Sequence, residues 1–212
     1  MALVLAAGQS ASAALIFRFE TVAPLLLGVA QFDQGTSNVV NLYLDGTGVD
    51  ATALSTDGLI SANLGDPTTF TPLGVTLAGV GALTAATPNN LFDDSSTIGA
   101  VDVTNQLAAW TAAVDLFSPA VFGSFNGPDY SVLLGSFTVD AGLVVGTGSL
   151  TITPTVGGDF TLGDGTPIAV PVSSFNFAVT AVPEPTSTAL LGMAVVIGIV
   201  SRYGRRPFKV VA

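Results

Sequence analysis

Short runs of alternating apolar and polar residues recur through the middle of the chain, each bounded by Gly, Asp, Asn or Pro. In "VVNLYLDG", Val40, Leu42 and Leu44 fall on one side, and Val39, Asn41 and Tyr43 on the other. In "SSFNFAVTAV", Phe175, Phe177, Val179 and Ala181 share a face. A period of two is the mark of a half-buried strand. The same reading predicts strands over residues 15–19, 39–44, 59–64, 73–78, 132–139, 148–154, 159–162 and 174–181. Short strands between turn residues predict an all-β fold, a single antiparallel β-sandwich of jelly-roll-like order. One stretch changes period. "VTNQLAAWTAAVDLF" spaces Val103, Leu107, Trp110 and Val114 at helical intervals, which predicts a short helix near 104–114.

Two terminal segments stand outside this pattern. Residues 186–201, "TSTALLGMAVVIGIVS", carry no charge. As a helix they would span about 24 Å, against a hydrocarbon core of about 30 Å. They predict a short transmembrane helix. Gly192 and Gly198 would weaken a soluble helix but are common in membrane ones. Arg202, Arg205 and Arg206 follow at once, and basic residues favour the cytoplasmic side. That orientation places residues 14–182 outside. At the other end, Met1–Ala7 is apolar and Ala11-Ser12-Ala13 is a small-x-small triplet. This reads as a signal peptide over 1–13 with the mature chain starting near Ala14; the alternative for the apolar run is a first strand. The expected organisation is an address at 1–13, an outer β domain at 14–180 and a C-terminal signal at 181–212.

Charge sharpens the picture. Charged residues make up 9% of the chain, where about 25% is usual. The net charge is -10, and between residues 14 and 182 Arg18 is the single cation among Glu20 and thirteen aspartates. Such a surface repels phosphates and excludes nucleic-acid binding. The chain has no Cys and no His. That excludes disulfides, thiolate chemistry, Cys-type zinc sites and His-based triads. The only lysine is Lys209, so there is no phosphate-binding P-loop. No cofactor is implied.

Carboxylates are what remains. Asp93-Asp94, in "NNLFDDSST", would be a pair for glycoside hydrolysis, but an Asn/Asp/Ser loop favours turn formation. Asp45, Asp50, Asp57, Asp159 and Asp164 lie in Asp- and Gly-rich loops and are candidate calcium ligands, since calcium takes oxygen donors. Tyr43, Trp110 and Tyr130 are the aromatics from which a carbohydrate platform would be built, with core packing as the other role for each.

Pro183-Glu184-Pro185 precedes the apolar run. Proline fixes its own φ and extends the residue before it, so 182–185 should be stiff and exposed. Pro183-Glu184-Pro185, the apolar run and Arg202/Arg205/Arg206 together resemble a PEP-CTERM sorting signal. The likeness covers roughly residues 182–206, with the basic cluster interrupted by Tyr203 and Gly204. It implies recognition by an exosortase, a bacterial membrane processing enzyme. It also implies cleavage near the motif and delivery to the cell surface or extracellular matrix, alongside exopolysaccharide or other surface proteins. The segment "LLGSFTVDAGLVVGTGSLTITP", residues 133–154, is similar to late strands of cohesin-like β-sandwich domains, which implies a non-enzymatic domain. The expected function is a non-catalytic structural or adhesive role outside the cell. The alternatives are a carbohydrate-binding or glycan-active surface protein and a permanently anchored ectodomain.

Overall fold

Alternation of Val, Leu, Phe and Thr with polar residues folds most of the chain into strands. The computed structural model describes residues 14–70, 74–153 and 160–182. The N-terminal 1–13, Asp159, Pro183-Glu184-Pro185, the apolar run 186–201 and the basic tail lie outside the described residues. The chain runs through β1 (Ala14–Thr21), β2 (Leu25–Leu26), β3 (Val29–Asp33) and the long β4 (Ser37–Thr47). Helix α1 (Val49–Asp57) follows, then β5 (Leu59–Ala62), β6 (Val75–Gly79), β7 (Ala82–Pro88), β8 (Ile98–Asp102) and β9 (Leu107–Thr111). The second half supplies β10 (Ser124–Asn126), β11 (Asp129–Asp140), β12 (Gly146–Ile152), β13 (Phe160–Leu162), β14 (Pro167–Ile168) and β15 (Ser173–Thr180). The compact unit closes at Thr180, and residues from Ala181 onward form a separate one.

One sheet has the order β1-β4-β11-β10, with β7 also pairing β11. The second has the order β2-β3-β15-β12-β6-β9-β8. A small third sheet, β14-β13-β5, is tied to the second by bridges from Leu64 to Trp110 and from Ser61 to Ala113. Pairing is antiparallel with one exception: β15 runs parallel to β3. The expectation of a purely antiparallel sandwich is corrected there. β3 and β12 run in opposite directions, so the last strand, entering between them, can oppose only one.

The core lies between the inner faces of the two large sheets. Val40, Leu42 and Leu44 of β4 face inward as their alternation predicts, and Phe177 and Val179 of β15 do the same. Each such side chain contributes roughly 1.5–3 kcal/mol by leaving water. On β11 the register shifts between Leu133 and Gly135, and the buried set passes from Val132 and Leu134 to Phe137 and Val139. Gly135 allows the shift to sit beneath an aromatic ring: a Cβ there would lie 2.5 Å from the Thr87 carbonyl oxygen and 3.0 Å from the Trp110 ring.

The helix expected near 104–114 is a turn and strand. The Asp102 carboxylate accepts the backbone N–H groups of Thr104 and Asn105 and an Asn105 side-chain N–H, which favours a turn over a helix. Gln106 then takes φ 55°, a left-handed conformation that no right-handed helix continues through. From Leu107 the chain is β9, burying Ala108 and Trp110. Helical spacing of four apolar residues was a coincidence that tertiary burial overrode. The helix stands instead at Val49–Asp57, burying Ala51 and Leu54. Asp50 sits in its first turn, where the helix dipole favours an acid. Gly58, at φ 66°, ends it, its N–H bonding the Leu54 carbonyl.

Trp110 is fully buried, stacks on Phe137 at 4.8 Å and donates its indole N–H to the Ala62 carbonyl at 3.0 Å. It thus joins all three sheets. Trp110→Ala should destabilise the domain by roughly 3–5 kcal/mol, read as a shift in the urea midpoint followed by circular dichroism.

Candidate functional site

Two polar assemblies stand out on the described chain. The first is on the outer face of the β1-β4-β11 sheet. Arg18 lies opposite Tyr43, and Asp45 opposite both Ile16 and Ser131. Directly opposed strand residues share a face, so the one cation of the described chain meets the acid at position 45. Arg18 donates to Asp45 Oδ2 at 2.6 Å, to Glu20 Oε2 at 2.8 Å and to Ser131 Oγ at 3.4 Å. Its guanidinium also sits 4.3 Å from the Tyr43 ring centroid. Burial works against the Arg18 charge, but the hydrogen bonds to Asp45 and Glu20 outweigh it and hold its pKa above the ordinary value. Asp45 is buried, and its Oδ1 has no hydrogen-bond partner. This assembly locks β1 to β4, with Asp45 as an ion-pair partner.

The second assembly is an open depression of about 600 Å³ where the small sheet meets the loop after β9. Hydrogen bonds between distant segments build it. Leu59 and Val121 exchange backbone bonds at 2.9 and 2.7 Å, drawing the 114–122 loop against β5. Asp93 holds that loop from the other side, accepting the Asp115 N–H at 2.9 Å and the Ser118 hydroxyl at 2.6 Å. Gly163 allows the turn after β13 to press on the end of α1: a Cβ would lie 2.1 Å from the Asp57 carbonyl oxygen. Asp57, Asp115 and Asp164 line the depression with Ser61, Thr161 and Phe122. Asp57 closes α1, where the helix dipole disfavours an acid.

The predicted site residues therefore separate. Asp57 and Asp164 share the depression, Asp45 is in the ion pair and Asp50 begins α1. Among the described residues no three acids converge on a point where a metal would sit. Asp164 is a turn former, accepting the Thr166 N–H and hydroxyl at 2.8 and 2.9 Å. Asp93 and Asp94 are loop-fixing too; Asp94 accepts the Ser96 N–H and hydroxyl. Tyr43, Trp110 and Tyr130 form no platform. Tyr43 lies under Arg18, Trp110 is in the core, and Tyr130 is buried with its hydroxyl bonded to the Gly123 backbone. Asp115, Ser118 and Phe122 were not legible, because they follow a run whose spacing read as helix. The Asp93 pairing with Ser118 spans 25 residues, beyond any local pattern.

No family model matches the chain, and no curated protein matches its sequence. In fold the chain is similar to cohesin modules. A chain of a type I cohesin–dockerin complex from Clostridium thermocellum matches at 7% identity with a TM-score of 0.47, covering 77% of this chain and 99% of its own. The cohesin module of a family 33 glycoside hydrolase from Clostridium perfringens matches at 12% identity and 0.45, covering 81% and 100%. A type II cohesin domain from the cellulosome of Acetivibrio cellulolyticus matches at 12% and 0.36, covering 77% and 94%. Likenesses at this level carry nothing about activity or partner.

Removing one member of the ion pair leaves the other charge without compensation. Arg18→Met should cost roughly 1–3 kcal/mol, and adding Asp45→Leu should recover part of it, as read in urea unfolding of the two variants. Exposed turns give a pH dependence. Asp93 is held below the ordinary carboxylate value by the Ser118 hydroxyl and then the Asp115 N–H, Asp94 by Ser96, and Asp102 by Asn105. A lowered native pKa stabilises fully above the unfolded value and is lost as pH falls through the native one. Stability should therefore be level between about pH 7 and 5 and fall below about pH 4. Asp93→Asn should reduce that fall in acid-titrated denaturation curves.

Proposed function

We propose that this is an exported protein with a non-catalytic structural or adhesive role at the cell surface or in the extracellular matrix. Its C-terminal segment would be a PEP-CTERM-type signal read by an exosortase. The observation that carries the reading is the order of Pro183-Glu184-Pro185, the uncharged run 186–201 and Arg202/Arg205/Arg206. The fold supports it from the other side. The β unit closes at Thr180, three residues before the motif, so cleavage there would cost the sandwich no strand. The outer domain's excess of acid over base also fits the side of the membrane away from the basic tail.

A carbohydrate-binding role at the depression is the second reading. Carboxylates beside hydroxyls suit sugar hydroxyls, and Phe122 offers a ring for an apolar sugar face. Asp57, Asp115 and Asp164 meet there with Ser61 and Thr161. In a permanently anchored ectodomain the same site would be displayed without cleavage.

Intact-mass analysis of the protein from its host tests the sorting. The mature species should begin near Ala14 and end within residues 183–186. A membrane-bound species retaining Lys209, with no shorter form, would overturn sorting in favour of permanent anchoring.

A further inference from the structure

Apolar side chains crowd the end of the sandwich from which the chain departs. Gly146 of β12 lies opposite Val179 of β15, so Leu143, Val144 and Val145 emerge beside Thr180. They are 82%, 66% and 56% exposed. Val103, in the β8–β9 turn at the same end, is 60% exposed. Hydrogen bonds fix this loop. The Gln34 side-chain N–H donates to the Leu143 carbonyl at 2.7 Å, and the Gly35 N–H to Gly142 at 2.7 Å. The Gln34 backbone N–H donates to the Thr180 carbonyl at 3.0 Å. The apolar loop and the departing strand are thus tied to one turn. Exposing consecutive large aliphatics on a fixed loop is unfavourable in water.

Chain length limits how far from Thr180 the uncharged run can begin. Five residues, 181–185, separate Thr180 from the uncharged run, and extended chain reaches at most about 17 Å over that length. Sixteen helical residues fall about 6 Å short of a 30 Å hydrocarbon core. A short span draws its flanking residues toward the bilayer. We infer that Leu143, Val144 and Val145 form a membrane-contact loop that rests in the lipid interface while the tail is inserted. The inference rests on reading 186–201 as a membrane span. No cation assists the contact, since Arg18 is the one base of the described chain and is paired on the sheet face. Asp33 and Asp140 close the strands at this end. Contact should therefore be apolar, and anionic lipid should oppose it.

The absence of cysteine allows a clean test. Val144→Cys in the full chain would carry an environment-sensitive NBD label. Thr52→Cys would be the control, since it is an exposed polar position on α1, beyond the far end of β4. Each is reconstituted into phosphatidylcholine vesicles, with and without phosphatidylglycerol; flotation reports tail insertion, and unchanged Trp110 emission reports folding. The expected result is flotation of both. NBD emission should be blue-shifted and quenched several-fold more by lipid-borne spin label at position 144 than at 52, and the difference should be smaller with phosphatidylglycerol. Flotation with a water-like label at 144 would overturn the inference and leave the anchor reading standing. Failure to float would overturn the anchor reading and the inference with it. Equal shifts at both positions, or a shift without vesicles that grows with protein concentration, would overturn the inference in favour of adsorption or self-association.

Discussion

The sandwich depends on one indole. Trp110 belongs to β9 in the seven-stranded sheet, stacks on Phe137 of the opposite sheet and donates its ring N–H to Ala62 of the small sheet. Its backbone exchanges hydrogen bonds with Leu64 in both directions, at 2.8 and 2.9 Å. A large side chain that satisfies its only donor while filling the space between layers removes much apolar area at no polar cost. The neighbours conform to it. Gly135 removes a side chain beneath the ring, and the register shift on β11 occurs there. Because β5 is fixed through Trp110, the 114–122 loop that pairs with β5 is fixed as well, and so is the acidic depression.

Charge is organised around a shortage. With one base among the described residues, the fourteen acids of the outer segment cannot all be paired. Arg18 sits where an acid is buried, on Asp45, and reaches Glu20 as well, because an uncompensated buried carboxylate is the costliest arrangement. Several others are handled locally. Asp66, Asp94, Asp102 and Asp164 accept backbone or hydroxyl donors two or three residues ahead, which turns each acid into a turn former. The depression gathers acids that the fold has not neutralised with a base.

Legibility in the sequence followed side-chain size. β4, β11, β12 and β15 alternate bulky with polar residues, and their cores were readable. β7, "ALTAATP", β8, "IGAVD", and β9, "LAAWT", bury small residues or a single large one, so a period-two signal barely rises above the background. Helix α1 has Ala51 and Leu54 as its buried residues, too few for a stripe, and its flanking glycines read as turns. At the site, Asp57 and Asp164 were readable as acids in loops. Their meeting with Asp115 was not, because it follows from β5 pairing with both β13 and the loop, a long-range arrangement.

The position of β15 has a consequence for the order of events. It is the last strand of the unit, yet it sits inside the seven-stranded sheet, between β3 and β12. Until residues 173–180 have been synthesised, β3 has no partner on that side and the sheet stays in two pieces. Completion of the sheet therefore waits for the last of the described strands. A nascent chain that cannot close early stays open for longer, and under the proposed export an open chain is the form that can be threaded across a membrane.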